Sequence, residues 1–314
     1  MRKIIAIGES VLDTLLVNDQ PKKTFVGGRI ANAAASMGYA GIPTAMVSEC
    51  CSDHVGDIVV KFLAEHSVDV KSIDRFTDGS TEISMIFEND SITKQVNYGE
   101  YPRDRFDVIW PRIDENDIVI FGSFYSIDES LRDRLLEMIT YASERKAILI
   151  YMPGFQHGLK CRITKVMPAI LENLELADFV IANNKDIEDI FPGEGVEKAF
   201  HNHLEFYCGN FLHIDENFNA QIFAKNVREV INNPQGKSVN ALGWQAGFAA
   251  GLMYGLLRNQ VTHDLLEDID QETWEAIVSW AFKFANEAEI SEDNTISAEF
   301  GEKCAKAYSE SLDD

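Results

Sequence analysis

The chain has 314 residues, of which 46% are hydrophobic and 25% charged, the balance of an ordinary soluble globular protein. Its 51 acidic residues against 28 basic ones leave a net charge of −23. That argues against nucleic acid or an anionic membrane as a partner, because both are held by Lys and Arg. No run of about 18 apolar residues occurs, so no membrane span is expected.

Met1 to Gly8 lacks the long apolar core and cleavage site of a signal peptide. The cysteines Cys50, Cys51, Cys161, Cys208 and Cys304 are scattered, form no CxxC pair and are odd in number. They make a poor disulfide framework, and a cytoplasmic location is expected. Cys50 and Cys51 read as small core residues.

Lys3 to Ile7 is a β-branched run that predicts a buried first strand. Asp13 follows it closely, near where ligands bind in open α/β sheets. It either hydrogen-bonds a polyhydroxylated ligand or caps a turn. Gly27 and Gly28 then open a small-residue helix and let a ligand approach the main chain. Asn32, one turn in, offers both a donor and an acceptor. Ala45 to Ser48 predicts a second strand, Asp53 to Asp57 the start of a helix reaching Glu65, and Val68 to Val70 a return to the sheet.

Gly8-Glu9, Asp13, Gly27-Gly28-x-x-x-Asn32-x-Ala34, Asp53-x-x-Gly56 and Ser67-Val68-Asp69 occur in this order. Together they resemble the amino-terminal signature of the ribokinase (PfkB) family of sugar kinases. The resemblance implies one ribokinase-like domain over residues 1–314. Its fold would be a three-layer α/β/α sandwich with a mostly parallel central sheet. A small β lid would come from about residues 11–26 and 81–98. It further implies ATP and Mg²⁺ as cofactors, a small-molecule sugar as partner, and a possible homodimer through the lid. Asp13, Gly27, Gly28 and Asn32 align with the residues that hold sugar hydroxyls in such kinases.

Ile83 to Phe87 and Thr93 to Asn97 alternate as two lid strands around an Asn89-Asp90 turn. Asn97 reads as a surface lid residue more readily than as a sugar contact. Asp117 to Ser123 and Ala147 to Tyr151 are further strands, and Glu129 to Ala142 an amphipathic helix. After Tyr151 relatives carry Asp-Pro-Asn-x-Arg, whereas this chain has Met152-Pro153-Gly154-Phe155-Gln156.

Ala177 to Phe191 resembles the family segment bearing Asn-x-x-Glu, which helps place Mg²⁺ and phosphate through water. Asn183 matches, and Asp186 stands at the acidic position. The pair equally fits a helix cap. His201-Asn202-His203 reads as a solvated loop, since no Cys or carboxylate lies at metal-ligand spacing. Gln221 to Ala224 is expected as a last edge strand. Gln271 to Ala288 predicts a final long helix, and its Ala285-Asn286 resembles a family segment beside the nucleotide.

The helix beginning near Asn240 carries Gly243, Gly247, Gly251 and Gly255 on one face. This is either close packing or a helix N-terminus for an anion. The family motif here is Asp-Thr-x-Gly-Ala-Gly-Asp-x-Phe, whose last Asp is the catalytic base. Aligned without a gap, this chain reads Asn240 to Phe248. Gly243 is kept, Trp244 and Gln245 replace Ala-Gly, and Ala246 stands at the base position. The reading is a carbohydrate kinase homologue with impaired catalysis. The alternative is a non-catalytic sugar-binding or partner protein on the same fold.

Overall fold

In this computed structural model, residues 1–89, 92–102, 108–154, 163–237 and 241–313 are described. Asp90, Phe155, Gln156, Cys161 and Asn240, which entered the readings above, lie outside them.

The chain starts with the buried strand β1 (Ile4–Ile7) and leaves it for an antiparallel pair, β2 (Val11–Val17) and β3 (Gln20–Gly27). It re-enters through α1 (Arg29–Tyr39), β4 (Thr44–Cys51), α2 (His54–Glu65) and β5 (Val68–Phe76). A second excursion forms β6 (Ile83–Asn89) and β7 (Ile92–Tyr98). Then follow β8 (Ile118–Gly122), α3 (Arg132–Glu144), β9 (Ile148–Met152), α4 (Ile163–Leu176) and β10 (Phe179–Asn183). The second half continues through α5 (Asn184–Ile190), α6 (Val196–Asn202), β11 (Asn210–Ile214), β12 (Ala220–Ala224) and β13 (Arg228–Ile231). It closes with α7 (Ala241–Arg258), α8 (Gln271–Ile290) and α9 (Ala298–Asp313).

The main sheet has nine strands in the order β13-β12-β11-β10-β9-β8-β1-β4-β5. It is parallel from β5 to β11, and β12 and β13 pair antiparallel at its end. Its middle strands are apolar on both faces because helices cover both. Ile4, Ala6, Ile118, Ile120 and Ile148 face α1, α7 and α8. Ile5, Ile7, Val119, Phe121 and Leu149 face α3 and α4. This is the expected three-layer sandwich. The two excursions form a separate four-stranded sheet, β3-β2-β6-β7, in which β2 and β6 run parallel.

Two expectations need correction. Gln221 to Ala224 is not the edge, because β13 pairs outside it in the short alternating run Arg228 to Ile231. His201-Asn202-His203 is not a loop but the end of α6. His203 stacks on Phe191 at 4.3 Å and hydrogen-bonds Glu194 at 3.2 Å. Among the described residues no cluster of metal-ligating side chains exists, and no helix is long and apolar enough to cross a membrane.

The glycine face of α7 is packing. A Cβ on Gly247 would lie 2.6 Å from the Phe284 carbonyl oxygen, and one on Gly251 2.4 Å from that of Trp280. The backbones of α7 and α8 therefore touch along this face.

Candidate active site

The chain runs from β1 to β4 on one side and returns to β8 on the other, so the strand order reverses at β1. Ligands of open α/β sheets bind beyond the carboxyl ends of strands at such a point. A cleft of about 760 Å³ lies there, roofed by the small sheet. Asp13, Gly28 and Asn32 line it, and Asn97 reaches it from β7.

Asp13 and Gly27 define each other. A Cβ on Gly27 would fall 2.1 Å from Asp13 Oδ2, so only glycine leaves room for the carboxylate. Asp13 is 7% exposed. Burial, with Glu9 and Glu82 nearby, pushes its carboxyl up to about 7. Gly28 turns the chain at φ 97, where a Cβ would meet the Glu9 carbonyl oxygen at 2.3 Å. Asn32 sits one turn into α1 at 4% exposure, and among the described residues its Oδ1 has no hydrogen-bond partner. Asn97 is half-buried and donates to Glu82 Oε1, so it is a cleft residue rather than a surface one.

Asn183 and Asp186 lie elsewhere. Asn183 Oδ1 accepts from the Asp186 backbone N–H at 2.9 Å, and Asp186 Oδ2 accepts from that of Asn183 at 3.1 Å. This reciprocal pair is a capping box on α5. Beside it, between Arg29, Trp244, Gln245 and Phe248, about 10 Å³ of space remains. That is at the lower limit for one water molecule.

Trp244 accounts for this. Its indole is 0% exposed, stacks on Phe248 at 5.2 Å and meets the edge of Phe218 at 4.9 Å. Its Nε1 donates to Asn286 Oδ1 at 3.1 Å. Asn286 Nδ2 in turn donates to Asn233 Oδ1 at 3.1 Å. Gly243 and Ala246 are buried in the same stretch of α7. Asn286 also lines a separate cavity of about 480 Å³ between Asn232, Pro234, Gln235 and α8.

The model of the pfkB family carbohydrate kinases matches residues 1–286. The chain belongs to that family. An ATP-dependent 6-phosphofructokinase from Thermoanaerobacterium thermosaccharolyticum is 23% identical over 211 residues, 64% of this chain and 65% of that protein. The chain thus matches just under two thirds of the length of this curated relative. Among solved structures, fructokinase from Vibrio cholerae O395 with fructose, ADP and calcium ion superposes with a TM-score of 0.81. It is 15% identical, over 95% of this chain and 97% of that one. Aminoimidazole riboside kinase from Salmonella enterica, with aminoimidazole riboside and an ATP analog, gives 0.80 at 13% identity, over 98% and 100%. These likenesses concern the fold.

Of the residues expected on the sugar side of this PfkB chain, Asp13, Gly28 and Asn32 line one cleft and Gly27 packs against Asp13. Those expected on the nucleotide side do not converge: Asn183 and Asp186 border a filled space, and Asn286 borders another cavity. Sequence reasoning missed Arg29, Glu82 and Ser123, which also line the cleft. A cation directly after Gly27-Gly28 was the available signal for Arg29. Ser123 takes φ 54, an uncommon angle for a serine, and a sequence carries no trace of that.

Proposed function

We propose that this chain binds a sugar or a related polyol in the cleft and does not phosphorylate it by the family's usual route. The observation that carries the reading is the buried Trp244 indole beside the start of α7. Phosphoryl transfer is positioning plus electrostatics. It needs backbone N–H groups free to face the moving phosphoryl group, and a base for the attacking hydroxyl. Trp244 and Gln245 leave about 10 Å³ in that region, too little for a phosphate group. Ala246 has no proton acceptor, and losing a general base alone costs on the order of 10² to 10⁴ in rate.

Asp13, Gly28 and Asn32 are the proposed hydroxyl-binding groups, with Gly27 making room for Asp13. Asn183 with Asp186 acts as a cap rather than a water-mediated Mg²⁺ site. One observation favours residual nucleotide contact. The cavity beside Asn286 is large enough, at about 480 Å³, for a flat heterocycle. Pairing of two copies through the small sheet is also proposed, with analytical ultracentrifugation as its readout.

Calorimetry with a panel of neutral and charged sugars, then with MgATP, tests the reading, followed by a coupled ADP-release assay. Sugar binding without ADP release is expected. Turnover at the rate of an active kinase that is lost on Asp186→Ala would overturn it.

A further inference from the structure

Ser123 follows the last residue of β8 with φ 54 and ψ −163. Glycine occupies that region, and residues with a side chain enter it only under strain. The surrounding bonds hold it there. Its backbone N–H donates to the Met152 carbonyl on β9 at 3.0 Å. Its own carbonyl accepts from the Ser126 backbone N–H at 3.2 Å and from the Ser126 hydroxyl at 2.8 Å. The Ser126 carbonyl in turn accepts from Arg132 at 2.9 Å and Asn173 at 3.3 Å. One position earlier, a Cβ on Gly122 would fall 1.9 Å from the Met152 carbonyl oxygen, so β8 and β9 are pressed together here.

These bonds would hold a glycine there equally well, since each uses the main chain of Ser123. A glycine would carry no strain. What serine adds is a hydroxyl, and its place gives that hydroxyl a use. Ser123 is 4% exposed and lines the cleft with Glu9 and Asp13. The Glu9 carboxyl, raised by burial, lies beside the Ser123 side chain. A serine hydroxyl and a carboxyl side by side can both donate to and accept from one ligand hydroxyl. The pair comes from the ends of β8 and β1, whereas Asn32 comes from α1.

We propose that Ser123 is a specificity-determining residue, kept in a glycine conformation so that its hydroxyl and the Glu9 carboxyl together recognise one hydroxyl of the ligand. This rests on the sugar-binding reading above and adds the contact that selects among sugars. Strain held at a binding residue trades stability for recognition.

Ser123→Gly and Ser123→Ala separate the strain from the hydroxyl. Both remove the hydroxyl, and only Ser123→Gly removes the strain. At an ordinary position glycine is less stable than alanine, because it frees the unfolded chain. Here Ser123→Gly should melt above Ser123→Ala by about 1–3 °C in thermal scans of the full chain. Titration calorimetry then uses fructose, ribose and glucose, followed by the monodeoxy forms of the tightest binder. Both variants should bind that sugar about fivefold or more weaker than the parent, whichever way their stability moves. For one monodeoxy form the parent and both variants should bind alike, which identifies the hydroxyl. A Ser123→Gly melting temperature at or below that of Ser123→Ala would overturn this inference alone. So would unchanged affinity in both variants, or a loss equal for every monodeoxy form. Binding of none of the sugars by the parent would overturn it together with the sugar-binding reading.

Discussion

The indole of Trp244 donates to the side-chain oxygen of Asn286, 42 positions further along the chain, at 3.1 Å. The bond ties α7 to α8 where the family resemblance led us to expect phosphate and nucleotide. Trp244 brings a large apolar surface with one polar handle, and a buried indole N–H needs an acceptor. Asn286 provides it and passes its own amide on to Asn233. A position expected beside the nucleotide thus works as a core hydrogen-bond partner.

Trp244→Ala should therefore act first on stability. Truncating a fully buried aromatic costs about 3–5 kcal/mol. Asn286→Ala should cost less, about 1–3 kcal/mol, by orphaning the indole N–H. Denaturant titrations of both variants and of the double variant measure this. The double variant should lose less than the sum, because the two residues share one bond.

Ala246→Asp, the simplest attempt to restore a base, is expected to yield no ADP release. Ala246 is 0% exposed, so an isolated carboxylate there would be desolvated and the fold weakened by several kcal/mol. The space between Asp186 and the start of α7 would also stay filled by Trp244 and Gln245. Adding Trp244→Ala and Gln245→Gly to Ala246→Asp is the combination that reopens it. ADP release from the single variant would show that lack of space is not the block.

Much of this was legible in residue order. Gly27, Gly28 and Asn32 follow the first strand at helix-start spacing, and they do open α1 over the cleft. Asn183 and Asp186 supported two readings, and the three-residue spacing that forms a capping box fits either. Other features depend on distance in space rather than order. Trp244 read as an obstruction, but its acceptor lies on another helix. Arg29 gave a charge and no sign that it lines the cleft beside Gly154. β13 is four residues long and half polar, and α4 contains Pro168, which reads as a helix break.

The glycine stripe gives a sharper stability test. Gly251→Ala places a methyl group 2.4 Å from the Trp280 carbonyl oxygen and 2.6 Å from Ala281 Cα. Both are backbone atoms of α8, so the helices must separate. Overpacking of this kind costs about 1–3 kcal/mol and often more. It outweighs the roughly 1 kcal/mol that alanine gains over glycine as a helix former. A thermal melt lower than that of the parent chain is the expected result. An unchanged or raised melting temperature would mean that α7 and α8 are less closely apposed.

Asp13 sets a pH dependence whose sign follows from its surroundings. Its carboxyl titrates at about 7 in the folded chain and near 3.9 when unfolded. Between these values the folded state keeps a proton that the unfolded state has lost. Asp13 therefore contributes stability that is fully present below about pH 4 and falls as pH rises to about 7, by on the order of 4 kcal/mol. Asn cannot titrate, so Asp13→Asn removes this component. Carboxylates such as Asp53, held below the ordinary value by its bonds from Thr81 and Gly56 despite burial, slope the opposite way. Those groups are common to both proteins and cancel in the difference. Denaturation of the parent and the variant from pH 4 to pH 8 should show Asp13→Asn gaining relative stability with rising pH. A constant difference across that range would place the Asp13 carboxyl at an ordinary value, in a wetter cleft.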